Sequence, residues 1–66
     1  MKITVIGSGA YGTSLALMLS KKENNEIMMW SHSNKKLNDL FDKPPQNIKI
    51  TNDLEQALID SKLIFL

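Results

Sequence analysis

The sequence contains no cysteine, which excludes disulfide-rich scaffolds and cysteine-based zinc domains. It has a single histidine, His32, so neither a metal centre nor a Ser/His/Asp triad is indicated. The absence of cysteine is typical of a reducing compartment. We therefore expect no metal ligand and no catalytic residue within the 66 residues.

The chain also lacks an excess of charge of one sign and a long apolar run. Eight basic residues oppose seven acidic ones, so no electrostatic field favours nucleic acid or a membrane surface. The apolar run Leu15–Leu19 is much shorter than the ~20 residues of a membrane span. We expect no nucleic-acid partner, no membrane partner and a cytoplasmic location.

Short apolar runs alternate with segments of helical period along the whole chain. Lys2–Ile6 predicts a buried strand, and Ala10 to about Lys22 predicts a helix with Lys21 and Lys22 in its last turn. The further predicted elements are a strand at 26–30, a helix that Ser33 caps and Pro44-Pro45 ends, a strand at 47–51, a helix capped by Asn52, and a strand at 62–66.

Strands that alternate with helices indicate an α/β protein with a Rossmann-type, doubly wound parallel sheet. The order β-α-β-α-β-α-β is the first half of such a domain plus the start of the second, since the complete fold has about six strands. We therefore expect residues 1–66 to be a partial domain that folds weakly or not at all by itself.

A G-x-G-x-x-G motif follows the first strand and opens the first helix, which is the context that a dinucleotide-binding turn requires. Its first glycine allows the tight turn, its second lets the backbone approach a pyrophosphate, and its third lets the helix pack on the strand. A glycine-rich turn that binds nothing is the alternative. The motif consists of Gly7, Ser8, Gly9, Ala10, Tyr11 and Gly12.

The end of the second strand is the other candidate contact. An acidic residue that would bond the NAD ribose is expected about 20 residues beyond the glycines, yet the chain has Trp30, Ser31 and His32 there. Because a carboxylate would repel a 2′-phosphate, its absence admits NADP as well as NAD. Ser33, Lys35 or Lys36 would add hydrogen bonds or charge, unless they and His32 are ordinary surface residues.

Two aromatic residues have two possible roles each. Tyr11 either faces the cofactor or covers the start of the helix, and Trp30 either closes the core or forms a wall beside the adenine. Met28 and Met29 are predicted to be packing residues.

Three stretches resemble the N-terminal part of NAD(P)-dependent glycerol-3-phosphate dehydrogenases. The first is Ile3–Ala16, in which Tyr11 and the Gly12-Thr13 pair are more selective than the glycines alone. Trp30–His32 and Asn52–Leu58 are similar to two further family patterns. Between the second helix and third strand, the family's usual N-x-x-Y-L-P-G-like stretch is shortened to Asp42–Asn47.

The resemblance implies a dinucleotide cofactor, NAD or NADP, held by the glycine turn, Ala10, Tyr11 and His32. It implies the interconversion of sn-glycerol 3-phosphate and dihydroxyacetone phosphate for phospholipid synthesis, with a separate substrate domain and a homodimeric parent. A dehydrogenase of the 6-phosphogluconate or UDP-sugar type, or a nucleotide-binding module without catalysis, is the alternative. The 66 residues alone are expected to be inactive.

Overall fold

Four parallel strands alternate with three helices in the computed structural model, which describes residues 1–66. The strands are β1 (Lys2–Ile6), β2 (Glu26–Trp30), β3 (Ile48–Thr51) and β4 (Leu63–Phe65). The helices are α1 (Ala10–Leu19), α2 (Leu37–Leu40) and α3 (Leu54–Leu58). The predicted α/β class and the predicted order of elements are confirmed.

The strands form one sheet in the order β3-β2-β1-β4, and every pairing is parallel. This order is consistent with the first half of a Rossmann fold. Ile6 is in register with Trp30, and Trp30 is in register with Thr51. The carboxyl ends of β1, β2 and β3 therefore lie in one row, and the loops that follow them share one edge of the sheet.

The two faces of β1 carry different chemistry, because successive side chains of a strand point to opposite faces. Ile3 and Val5 belong to the buried apolar cluster that also contains Ala16 of α1, with Leu37 of α2 packed against it. Thr4 points the other way and is hydrogen-bonded to the carbonyl oxygen of Ala57 in α3. Helices thus cover both faces of the sheet, as the doubly wound arrangement requires.

Met29 is fully buried in the apolar cluster, which confirms the packing role predicted for it. β4 lies at an edge of the sheet and is much less covered, with Leu63 46% and Ile64 50% exposed. The apolar core therefore centres on β1, β2 and α1 rather than on the fourth strand.

The first helix ends earlier than its sequence pattern predicts. Leu19 is its last residue, and Lys21 and Lys22 lie beyond it, so the prediction of cations in the last turn was wrong. At this end of α1, side-chain amides from later parts of the chain donate hydrogen bonds to the carbonyl oxygens. Asn25 Nδ2 donates to the Leu19 oxygen at 3.1 Å, and Asn47 Nδ2 donates to the Ser20 oxygen at 2.8 Å. β3 begins at Ile48, one residue later than predicted, although the Asn47 carbonyl oxygen still accepts from the Ile27 amide at 2.8 Å.

The predicted starts of the second and third helices were also wrong. α2 is capped at Lys36 and not at Ser33, whose hydroxyl lies 3.1 Å from that of Ser31. α2 ends at Leu40, ahead of the prolines, because Phe41 is already extended.

The cap of α3 is Asp53, which accepts from the Gln56 amide at 3.3 Å, and not Asn52. α3 ends at Leu58. None of the three helices has the length and apolarity that a membrane crossing needs.

Candidate functional site

The turn between β1 and α1 holds the glycine motif and is fastened at both ends. Gly7 has φ +120°, a conformation that residues with a side chain rarely adopt. Its amide donates to the Trp30 carbonyl oxygen at 2.8 Å, so the chain leaves β1 while still bonded to the end of β2. Thr13 Oγ1 donates to the Ser8 carbonyl oxygen at 3.3 Å and ties the turn to α1.

The other two glycines have contrasting surroundings. A Cβ on Gly12 would lie 3.0 Å from the Gly7 carbonyl oxygen and 3.5 Å from Val5 Cγ1. This is the close packing of helix on strand that the motif predicts. A Cβ on Gly9 would meet no atom within 4 Å. The missing side chain at Gly9 therefore leaves open space outside the protein surface rather than room for a protein neighbour.

The first three amides of α1, next to this open space, have no protein acceptor. Gly9 is the N-cap and supplies no side-chain hydrogen bond. The first backbone bond into the helix runs from the Thr13 amide to the Gly9 carbonyl oxygen at 2.9 Å. The amides of Ala10, Tyr11 and Gly12 consequently donate to nothing in the protein. Free amides at the positive end of a helix dipole are suited to an anion such as a diphosphate.

The exposed side chains next to the turn are few. Tyr11 is 74% exposed, so its ring does not cover the start of α1, which was one of its two predicted roles. Ala10 is also exposed, and Ser8 is partly buried. The Tyr11 side chain is therefore open to solvent next to the turn.

The end of β2 brings Trp30 and His32 together on the same edge of the sheet. Their ring centroids are 6.2 Å apart and the ring planes are inclined by 42°. His32 is exposed, whereas Ser31 is buried and its hydroxyl lies 3.1 Å from the Ser33 hydroxyl. The polar atoms of His32 are therefore accessible at this edge. Ser31 supports the loop from within.

Trp30 also has a structural contact that its sequence pattern does not reveal. Its Nε1 donates to the Asn52 carbonyl oxygen at 3.0 Å. The indole therefore joins the end of β2 to the loop after β3. Asn52 makes a second contact, because its Nδ2 donates to Asn34 Oδ1 at 2.7 Å.

The two lysines after β2 lie beside a shallow depression of about 290 Å³ on this edge. The residues that line it are Ser33, Asn34, Lys35, Lys36, Ile50, Thr51 and Asn52. Loops that follow neighbouring parallel strands meet at one edge of the sheet. The position of Asn52 directly after β3 could therefore have predicted that it lies in this depression. The sequence interpretation instead assigned Asn52 to a helix cap.

A larger depression, about 450 Å³, lies at the opposite edge of the sheet, where the strands begin. Its lining mixes both signs of charge, with Lys2, Glu26 and Lys49, and includes no residue of the glycine motif. No group of three potential metal-binding side chains exists in the structure. The edge that carries the glycine turn is therefore the candidate site.

Comparison with known proteins gives an independent result for the whole chain. Residues 2–66 match the family described as the N-terminus of NAD-dependent glycerol-3-phosphate dehydrogenase. The chain belongs to this family. The family description and the names of the relatives support NAD or NADP as the cofactor.

Similar proteins include three that are named glycerol-3-phosphate dehydrogenase (NAD(P)+). Those of Phytoplasma australiense and Onion yellows phytoplasma are 36% and 38% identical, and both matches cover 100% of this chain and 22% of the relative. The Bacillus pumilus protein is 35% identical over 86% of this chain and 19% of the relative. The chain thus spans about a fifth of the length of these relatives. No solved structure matches it.

Proposed function

We propose that residues 1–66 form part of the NAD(P)-binding domain of an oxidoreductase that interconverts sn-glycerol 3-phosphate and dihydroxyacetone phosphate. The observation that carries this proposal is the set of free amides of Ala10, Tyr11 and Gly12 beside the open surface at Gly9. The family match over residues 2–66 supports the choice of reaction. A substrate domain would lie outside this chain, in a longer parent protein.

The dinucleotide would lie along the carboxyl edge of the sheet. Its pyrophosphate would accept hydrogen bonds from the amides of Ala10, Tyr11 and Gly12. Gly9 has no side chain to hold the phosphates away. When bound, the nicotinamide supplies or accepts the hydride of the reaction.

The adenosine half would extend toward the end of β2, where His32 and Trp30 lie. His32 is exposed and would donate or accept at the ribose. No carboxylate is present in the segment 30–36, so nothing there repels a ribose 2′-phosphate. This supports acceptance of NADP together with NAD.

The direct test is an assay of the purified parent protein with each cofactor. We expect oxidation of NADH or NADPH when dihydroxyacetone phosphate is added, and no reduction of NADP when 6-phosphogluconate is added. The Gly9→Ala variant tests the proposed phosphate surface in the same assay, because its added methyl group meets no protein atom within 4 Å. Activity with 6-phosphogluconate, or none with dihydroxyacetone phosphate, would refute the proposed reaction.

The 66 residues alone are proposed to lack this activity. Only 11 of 66 residues are buried, and the apolar cluster contains six. So small a core stabilises a chain only marginally. We expect the isolated chain to show no cooperative thermal transition by circular dichroism and no NADPH oxidation. A sharp transition or measurable turnover would contradict this.

We also propose that the parent protein is a cytoplasmic homodimer whose product feeds phospholipid synthesis. Light scattering of the purified parent protein would give twice the mass of one chain. A single-chain mass at assay concentrations would rule out the dimer.

A further inference from the structure

We infer that Asn52 is a positioning residue, which holds the loop of residues 31–36 where the adenosine half of a dinucleotide would bind. The inference rests on the proposed function. Asn52 follows β3, yet both of its contacts reach back toward β2. Its Nδ2 donates to Asn34 Oδ1 at 2.7 Å, and its carbonyl oxygen accepts from Trp30 Nε1 at 3.0 Å.

The buried Ser31 is tied to the end of β3, because its amide donates to the Thr51 carbonyl oxygen at 3.0 Å, but the rest of the loop has little else to hold it. Residues 32–36 are all exposed, and most of their hydrogen bonds are local. The Ser33 amide donates to Ser31 Oγ at 3.3 Å, and the Lys36 amide donates to Asp39 Oδ2 at 2.9 Å. The bond between Asn34 and Asn52 is the only hydrogen bond that joins residues 32–36 to another strand–helix connection.

Trp30 supplies the second half of this connection. Its indole is anchored by the Asn52 carbonyl oxygen, and its ring lies 6.2 Å from that of His32. Asn52 therefore contacts both the loop and Trp30, the residue that precedes the loop. The sequence pattern predicts Asn52 as the cap of α3, but Asp53 is the cap. The side-chain amide of Asn52 therefore donates to Asn34 instead.

This arrangement has a specific consequence for binding. A loop that is already fixed loses less conformational freedom when a ligand binds, so its affinity for that ligand is higher. The loop carries His32, Lys35 and Lys36, whereas the amides for the pyrophosphate belong to α1. Loss of the Asn34–Asn52 bond should therefore weaken binding of the adenosine half and leave the nicotinamide half unaffected.

The test compares Asn34→Ala, Asn52→Ala and the double variant in the parent protein. Asn52→Ala keeps the carbonyl group that anchors Trp30, so both single variants remove the same side-chain bond. Asn34→Asp keeps an acceptor for the Asn52 amide. Asn38→Ala is the matched control, because Asn38 is exposed on α2 and its side chain makes no hydrogen bond.

We expect the Kd values of NADH and of AMP to rise about two- to tenfold in each single variant, the range of one hydrogen bond. The Kd values of the double variant should be no higher than those of either single variant, since the two residues share one interaction. Asn34→Asp should bind AMP more tightly than Asn34→Ala does and keep most of the affinity of the unaltered protein. The Kd of nicotinamide mononucleotide, and kcat at saturating cofactor, should stay at the values of the unaltered protein.

The outcomes separate this inference from the proposed function. If the unaltered protein binds no dinucleotide, the proposed function fails. If it binds NADH, but the alanine variants behave like Asn38→Ala, only the positioning role is wrong. A lower melting temperature and a smaller active fraction with unchanged Kd would also contradict it. Should Asn52→Ala fail to fold, Asn34→Ala, which alters an exposed loop residue, decides the matter.

Discussion

Gly12 lies so close to Gly7 that a Cβ on Gly12 would stand 3.0 Å from the Gly7 carbonyl oxygen and 3.4 Å from its carbonyl carbon. Both atoms belong to the backbone, so neither can rotate away as a side chain would. This contact fixes the distance between α1 and the turn before any ligand binds. It explains why the third position of the motif has no side chain.

We expect Gly12→Ala to lower the free energy of unfolding of the parent protein by about 1–3 kcal/mol, the usual cost of overpacking. The dinucleotide Kd should rise at the same time, because α1 and its free amides must move. Urea denaturation and cofactor titration would measure the two effects. Ser14→Ala, an exposed change on the same helix, is the control and should leave both unchanged. Stability and affinity like those of the control would contradict the packing role of Gly12.

Thr4 offers a test of how the second face of the sheet is held. It is fully buried, and its Oγ1 is hydrogen-bonded to the Ala57 carbonyl oxygen and lies 2.8 Å from Ser61 Oγ. Thr4→Val keeps the shape but leaves the buried Ala57 carbonyl oxygen without its hydroxyl donor, which costs ~1–3 kcal/mol. The midpoint of urea denaturation would show the loss.

Thr13→Val is the matched control for Thr4→Val. The Thr13 hydroxyl makes a longer bond, 3.3 Å, at a partly buried site, so its removal should cost less. An equal loss in the two variants would mean that burial of the Thr4 hydrogen bond contributes nothing extra.

Cofactor preference should respond to charge at His32. We expect His32→Asp to raise the Kd of NADPH at least ~10-fold relative to that of NADH, because the new carboxylate repels a 2′-phosphate. His32→Asn introduces a side chain of the same shape as aspartate but without its charge. It should change the ratio of the NADPH Kd to the NADH Kd far less. Fluorescence titration of the reduced cofactors would measure it. An unchanged ratio in His32→Asp would show that the 2′-phosphate does not lie near the end of β2.

The strands and the glycine turn could be predicted because each is encoded by residues next to one another in the sequence. β1 and β2 have the bounds that the sequence predicts, Lys2–Ile6 and Glu26–Trp30. Helix ends could not be predicted in this way. The end of α1 depends on the amides of Asn25 and Asn47, which come from later parts of the chain.

In the candidate site, too, local features could be predicted from the sequence and long-range contacts could not. The motif of residues 7–12 is local, so its turn and its helix start followed from the sequence. The bond between Asn34 and Asn52 joins residues 18 positions apart and depends on which strands are neighbours. The parallel pairing of β2 with β3, with Trp30 in register with Thr51, brings those two loops together.

Gly9→Ala tests most directly whether a pyrophosphate binds to the free amides at the start of α1. The added methyl group meets no protein atom within 4 Å, so the free energy of unfolding should stay within about 1 kcal/mol of the original, the scale of an N-cap change. The methyl group would occupy the space that the phosphates need. Titration with NADH should give a Kd at least ~10-fold higher, equivalent to about 1.4 kcal/mol of binding free energy. An unchanged Kd in this folded variant would contradict dinucleotide binding at the glycine turn.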